Sequence, residues 1–197
     1  MTTPRHNLWK VLIPALLIVA GAVIGLSVVK HFVGKAGHGP NGASNGHDSV
    51  ELQEGAMVPD VLLKRFGGGE TQLSAIPAKV VMVNFWATWC DGCVSELPSI
   101  IELRRNYATR GFEVLAINVD EEPEAVLPGF LKRLKIDFPV YLDSDGSLSQ
   151  TFDVHGIPLT LLVAVESRKI LMVQGGERDW NTEEMRNRLE HWLSGYK

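Results

Sequence analysis

The stretch from Val80 to Pro98 constrains this chain more than any other. Val80-Val81-Met82-Val83-Asn84-Phe85-Trp86 is a nearly continuous apolar run. Such a run reads as a strand buried on both faces of a sheet. After it the period changes. Val94, Leu97 and Ile101 fall on one helical face, with Ile100 and Tyr107 beside it. Cys90-Asp91-Gly92-Cys93 lies where the strand gives way to the helix. A sulfur at a helix N-terminus faces unpaired backbone N–H groups and the positive end of the helix dipole. Both favour thiolate over thiol, and thiolate is the nucleophile of disulfide exchange. Cys93 lies one turn further on, close enough to form a short-loop disulfide with Cys90. The pattern describes a dithiol switch.

Two plainer readings use the same spacing. Half a zinc site needs two further ligands, but the chain has only two cysteines and no histidine pair at ligand spacing. No metal is therefore expected. A purely structural disulfide here would close too short a loop to stabilise much.

The motif and its flanks, Phe85-Trp86-Ala87-Thr88-Trp89-Cys90-x-x-Cys93, resemble the active-site segment of the thioredoxin superfamily. The continuation Val94-Ser95-Glu96-Leu97-Pro98 completes a Cys-x-x-Cys-x-x-Glu-x-Pro run. That run is similar to the TlpA/ResA/CcmG branch of membrane-anchored, extracytoplasmic thiol–disulfide oxidoreductases. The resemblance extends in pattern from about Val58 to the C-terminus, and is specific around Trp86–Pro98 and Gly156–Val163.

The N-terminus bears on location. Residues 1–10 carry Arg5 and Lys10, and Val11–Val29 is apolar apart from Ser27 and two glycines. At ~1.5 Å per residue this run can cross a ~30 Å hydrocarbon core as a helix. Ala20-Gly21-Ala22 has the form of a signal-peptide cleavage site. The run continues past it, which favours an uncleaved signal anchor. Lys30 and Lys35 nearly balance Arg5 and Lys10, so charge leans only slightly towards a cytoplasmic N-terminus. The resemblance implies the same orientation, in the inner (cytoplasmic) membrane with the catalytic domain on the periplasmic side. Residues 30–49 are rich in Gly, Asn, Ser and His and read as a flexible linker. Their scattered histidines read as solvated positions, not a metal tract.

Residues 50–197 then form one domain, large enough for a full core without staples. The net charge of −4 and the lack of a basic stripe exclude nucleic acid as an expected partner. Val58–Leu63 and Thr71–Leu73, around Gly67-Gly68-Gly69, predict an N-terminal β-hairpin. The active-site strand and helix follow, the helix kinked at Pro98. Further strands are predicted at Phe112–Val119, Phe138–Leu142, Leu159–Val165 and Ile170–Val173, and helices at Glu124–Leu134 and Leu148–Phe152. Asn181 as N-cap and Glu184 at N3 predict the start of a last helix, with Trp180 and Met185 as a hydrophobic staple and Met185, Leu189 and Trp192 as its core stripe. The order predicts an α/β sandwich with a mixed central sheet. The resemblance makes this a thioredoxin-like fold with an N-terminal β-hairpin and a central α/β insertion, preceded by one transmembrane helix.

The resemblance also completes the site. Gly156-Ile157-Pro158 precedes a strand, as does the cis-proline loop of thioredoxin folds. It implies that Ile157–Pro158 is cis and that the loop faces Cys90, offering backbone groups of Ile157 to an extended substrate. Thioredoxin has a buried Asp two residues before the Trp of its motif. Here that position is Asn84, which does not titrate. Glu96 matches the branch's own Glu and supplies an acid/base partner for the dithiol. Its plainer reading is a solvent-facing helix carboxylate. Trp86 reads as core, Trp89 as an apolar platform for substrate, and His155 as a surface residue.

The expected function is reduction of protein disulfides through Cys90 and Cys93, assisted by Glu96, without a cofactor because the two sulfurs carry the electrons. The implied partners are protein thiol and disulfide substrates and a membrane or periplasmic electron donor. The sequence does not name the substrate; the resemblance allows apocytochrome c, a copper-site protein of a terminal oxidase, or general periplasmic thiols. A thiol peroxidase needs Thr or Ser three residues before its Cys and Pro four before that, where this chain has Ala87 and Val83. The alternative is a copper-delivery module resembling the Sco family. That family separates its cysteines by three residues and adds a distant His, for which His155 is the candidate here.

Overall fold

The computed structural model describes residues 52–195. The expected tail, anchor and linker, residues 1–49, lie outside the described residues. Among the described residues no helix is long and apolar enough to cross a membrane. In chain order the elements are β1 (Leu62–Arg65), β2 (Glu70–Gln72), β3 (Val80–Trp86), α1 (Asp91–Tyr107), β4 (Phe112–Asn118), α2 (Pro123–Leu134), β5 (Val140–Leu142), α3 (Ser147–Thr151), β6 (Leu159–Ala164), β7 (Lys169–Gly175) and α4 (Glu183–Gly195).

The strands form one mixed sheet in the order β2-β1-β5-β4-β3-β6-β7. β3 lies inside it, and all its residues are buried. It runs parallel to β4, from Val80↔Phe112 to Trp86↔Asn118, and antiparallel to β6, from Val80↔Ala164 to Phe85↔Leu159. Because side chains alternate along a strand, β3 feeds two cores. Val80, Met82 and Trp86 join the core containing α1 and α4, whereas Val81, Val83 and Phe85 join the core containing Leu148 and Phe152. Asn84 has the parity of Met82 and Trp86. Period two therefore delivers it to the α1 face, where the site is built.

α1 buries Cys93, Glu96, Leu97, Ile100, Ile101, Leu103 and Tyr107. The buried stripe thus centres on Cys93, Leu97 and Ile100, and Val94 sits at its edge, half-buried. The helix runs unbroken through Pro98, which lies on the exposed face, so the absent N–H does not end it.

The hairpin is real but shorter than its apolar pattern. β1 pairs with β2 only over Leu62↔Gln72 to Lys64↔Glu70, and Gly67, Gly68 and Gly69 all take positive φ in the turn. Val58 is buried in the core but not in this hairpin. Its N–H donates to the Arg168 carbonyl at 2.9 Å, and Pro59, without an N–H, cannot extend a ladder. Pro139 limits β5 in the same way, to Val140–Leu142. The segment α2–β5–α3 stands between β4 and β6. β5 pairs parallel with β4 and antiparallel with β1, so it carries the hairpin onto the sheet.

α4 is capped by Thr182, not by Asn181. The Met185 N–H donates to Thr182 Oγ1 at 3.2 Å, and the Arg186 N–H to the Thr182 carbonyl at 3.0 Å. That places Met185 at N3, so Glu184 cannot close a capping box. Trp180 and Met185 are both fully buried in the α1 core, but as core residues, not at the two staple positions. The stripe Met185, Leu189 and Trp192 is buried as the periodicity predicts, with Leu193 beside it.

Candidate active site

The dithiol sits at the mouth of β3. Cys90 is the N-cap of α1 with extended backbone, and its Sγ accepts the Cys93 N–H at 3.2 Å. Cys90 and Cys93 are joined in a disulfide. The two sulfurs are unequal. Cys90 is half-buried and Cys93 is 0 % exposed. This is what a β3–α1 junction imposes, since the capping residue lies outside the helix and the residue three further on points into the core.

The loop carrying Cys90 is tied down by Asp120, which sequence reasoning missed. Thr88 donates to its buried carboxylate through N–H at 3.0 Å and through Oγ1 at 2.9 Å, and Asn118 Nδ2 donates at 2.6 Å. A buried carboxylate costs free energy unless it is hydrogen-bonded. Here its donors come from the end of β4 and the loop after β3. The parallel register that pairs Trp86 with Asn118 brings them together. Trp89, at the tip of this loop, is 68 % exposed, whereas Trp86 is buried against Phe130 with ring centroids 5.3 Å apart.

Glu96 is not a surface carboxylate. It is only 3 % exposed, one turn beyond Cys93 on the buried face of α1. Asn84 Nδ2 donates to Oε1 at 2.9 Å, Trp180 Nε1 donates to Oε2 at 3.0 Å, and the Arg178 N–H reaches Oε2 at 3.4 Å. Asn84 also donates to Thr160 Oγ1 at 2.9 Å, across the β3–β6 pairing. Burial pushes the Glu96 carboxyl above the usual carboxylate range, the three donors pull against that shift, and the nearby Glu177 charge adds to it. The signal for this burial was present in the sequence. Cys93, Glu96, Leu97 and Ile100 fall at i, i+3, i+4 and i+7, so Glu96 occupies a core position of the stripe.

The Ile157–Pro158 bond is cis, as the resemblance implies. The loop faces the motif, because a Cβ placed on Gly92 would lie 3.7 Å from Pro158 Cδ. Among the described residues neither the N–H nor the carbonyl of Ile157 has a backbone partner. His155 is exposed and pairs with Asp153 at 3.2 Å. Among the described residues no group of three or more His, Cys, Asp or Glu is arranged to hold a metal ion.

The AhpC/TSA family matches residues 55–173, which takes in the hairpin, the dithiol, the cis-proline loop and β7 as far as Val173. The chain belongs to the AhpC/TSA family. A Bacillus subtilis thiol-disulfide oxidoreductase ResA is 34 % identical over 124 residues, which are 63 % of this chain and 69 % of the relative. A Bacillus cereus ResA is 28 % identical over 94 % of both chains. A crystal structure from Chlorobium tepidum, described as a thiol:disulfide interchange protein DsbE, superposes with a TM-score of 0.65 at 28 % identity. It covers 73 % of this chain and 99 % of that one. This AhpC/TSA-family protein is a thiol–disulfide oxidoreductase with a thioredoxin-like α/β fold. At the position three residues before Cys90 the family member has Ala87, which is fully buried and offers no hydroxyl.

Proposed function

We propose that this oxidoreductase is a reductant of protein disulfides, tethered to the extracytoplasmic side of the membrane by Val11–Val29. The observation that carries the division of labour is the asymmetry of the two sulfurs. Cys90, accessible and capping α1, attacks the substrate disulfide as a thiolate. One substrate sulfur leaves as a thiolate and takes a proton, and the other is held in a mixed disulfide with Cys90. Cys93 gives up its proton and attacks the Cys90 sulfur. Glu96, one turn away on the buried face of α1, accepts that proton. The second substrate thiol is released, and two electrons have passed from the dithiol to the substrate. An extracytoplasmic dithiol donor then reduces Cys90–Cys93 again. Trp89 supplies an apolar platform, and Ile157, with both backbone groups free of backbone partners, pairs with an extended substrate beside Pro158. Apocytochrome c, an oxidase copper-site protein and general periplasmic thiols are the substrate classes consistent with the resemblance to the TlpA/ResA/CcmG branch.

Thiolate stability sets the direction. The N-terminus of α1 stabilises the Cys90 thiolate, whereas Asp91 in the first turn opposes it. A less stabilised thiolate makes the dithiol the better electron donor. The expected potential is nearer thioredoxin's roughly −270 mV than the roughly −120 mV of a strong oxidant. Equilibration of the protein against glutathione and dithiothreitol buffers measures it. A value at or above about −150 mV, in the range of dedicated oxidants, sinks the reductase reading.

The location has its own test. Alkaline extraction of membranes is expected to leave the full-length protein in the pellet, because an apolar run of this length is held as a spanning helix. Release of a shortened soluble form overturns the anchor.

A further inference from the structure

Glu177 lies in the loop between β7 and α4, far in sequence from the dithiol but next to Gly92 and Ser95 at the start of α1. Ser95 Oγ, in the first turns of α1, donates to Glu177 Oε2 at 2.8 Å. The same carboxylate oxygen would stand 3.1 Å from a Cβ on Gly92, the residue before Cys93. A Cβ at position 92 would be a tight contact that the Glu177 carboxylate relieves by moving a few tenths of an ångström, so Glu177 and the turn of the motif are immediate neighbours. The loop is held from the other side as well. The Gly176 N–H donates to the Pro158 carbonyl at 2.9 Å, and Gly176 adopts φ +78°, which favours glycine there. Glu177, Gly92 and Pro158 thus converge on the edge of the cleft where a substrate beside the cis-proline loop must pass.

The charge of Glu177 is exposed and unopposed. Among the described residues it has no cation within ion-pairing distance. Its neighbour Arg178 is directed elsewhere, over the Trp180 ring at 5.0 Å and towards Gln174 Oε1 at 3.4 Å. Beyond Glu177 a groove of about 500 Å³ runs along α1, lined by Ser95, Glu102, Glu177, Arg178, Asp179 and Asn181 among others. Three carboxylates and one guanidinium line it. A fixed carboxylate at the lip of such a groove attracts a cation on an incoming chain and repels an anion.

We propose that Glu177 is a specificity-determining residue, selecting disulfide substrates that carry a lysine or arginine close to the attacked cysteine. The proposal rests on the substrate path assigned above along Pro158. Its test reads thiol–disulfide exchange itself, so it holds in whichever direction the physiological reaction runs.

The experiment measures second-order rate constants of the full-length reduced protein with two disulfide peptides. They are identical except for Lys or Glu next to the cysteine. Wild type is expected to favour the Lys peptide by about ten-fold at low ionic strength, the size of one attraction and one repulsion between partly exposed charges. The preference should shrink towards unity near 1 M salt, where screening acts over about 3 Å. Glu177→Gln keeps the shape and an acceptor for Ser95, and should cut the ratio at least three-fold. Glu177→Lys should invert it. Because each ratio compares two peptides on one protein, a general change in Cys90 reactivity cancels. An unaltered ratio in Glu177→Gln overturns the assignment of Glu177. A potential in the oxidant range overturns the reductase reading and leaves this ratio standing.

Discussion

Replacing Cys90 with serine is expected to abolish exchange, a loss on the order of 10³-fold or more, because no other sulfur can reach the substrate. Cys93→Ser is expected to behave differently. The first attack survives, the second cannot occur, and the protein accumulates as a mixed disulfide with its substrate. The physical ground is the geometry of a capping sulfur. Cys90 lies outside the helix at the surface of the cleft, whereas Cys93 is fully buried in the α1 core. Trapping in the cell followed by mass spectrometry reads the second outcome and identifies the substrate at once. Alkylation of the reduced protein near neutral pH checks the same asymmetry and should modify Cys90 first. Preferential labelling of Cys93 overturns the assignment of roles.

Replacing Glu96 with glutamine is expected to slow resolution of the mixed disulfide by about 10²-fold, the usual contribution of a positioned proton acceptor. It should also remove a step from the pH profile of Cys93 reactivity. A stability measurement gives an independent reading. Burial raises the Glu96 carboxyl above its ordinary value of 4.5. The folded state therefore binds this proton more tightly than the unfolded chain. That contribution to stability is fully present below the unfolded value and is lost as pH rises through the folded one. Wild type should show this downward component with rising pH in denaturant midpoints, and Glu96→Gln should lack it. The amide also turns an NH₂ towards either Asn84 Nδ2 or Trp180 Nε1, at a cost of about 1–3 kcal/mol. That cost shifts the whole curve without restoring its slope. A variant with the wild-type pH profile in both measurements returns Glu96 to a structural role.

The chain's local order determined a large part of this protein. The apolar run of β3, the change of period at α1 and the Cys-x-x-Cys at their junction all act within a few residues, where strand parity and the helical repeat operate. They were enough to place Cys90 at the helix N-terminus with Cys93 one turn further on, and the alternation of strands and helices along the whole chain predicted the mixed α/β sandwich. Boundaries shifted where one residue changed the hydrogen bonding, as at Pro59, Pro139 and the Thr182 cap. What the tertiary structure alone decided is the company these residues keep. Glu96 meets Asn84 from β3 and Trp180 from a loop 84 residues on, and Glu177 reaches back 82 residues to Ser95. No periodicity spans such distances. Those partners meet because β6 lies beside β3 and β7 beside β6 in the sheet, so that the loop after β7 falls on the N-terminal end of α1. Local sequence thus supplied the nucleophile. Strand order supplied the buried carboxylate's donors and the exposed carboxylate at the cleft.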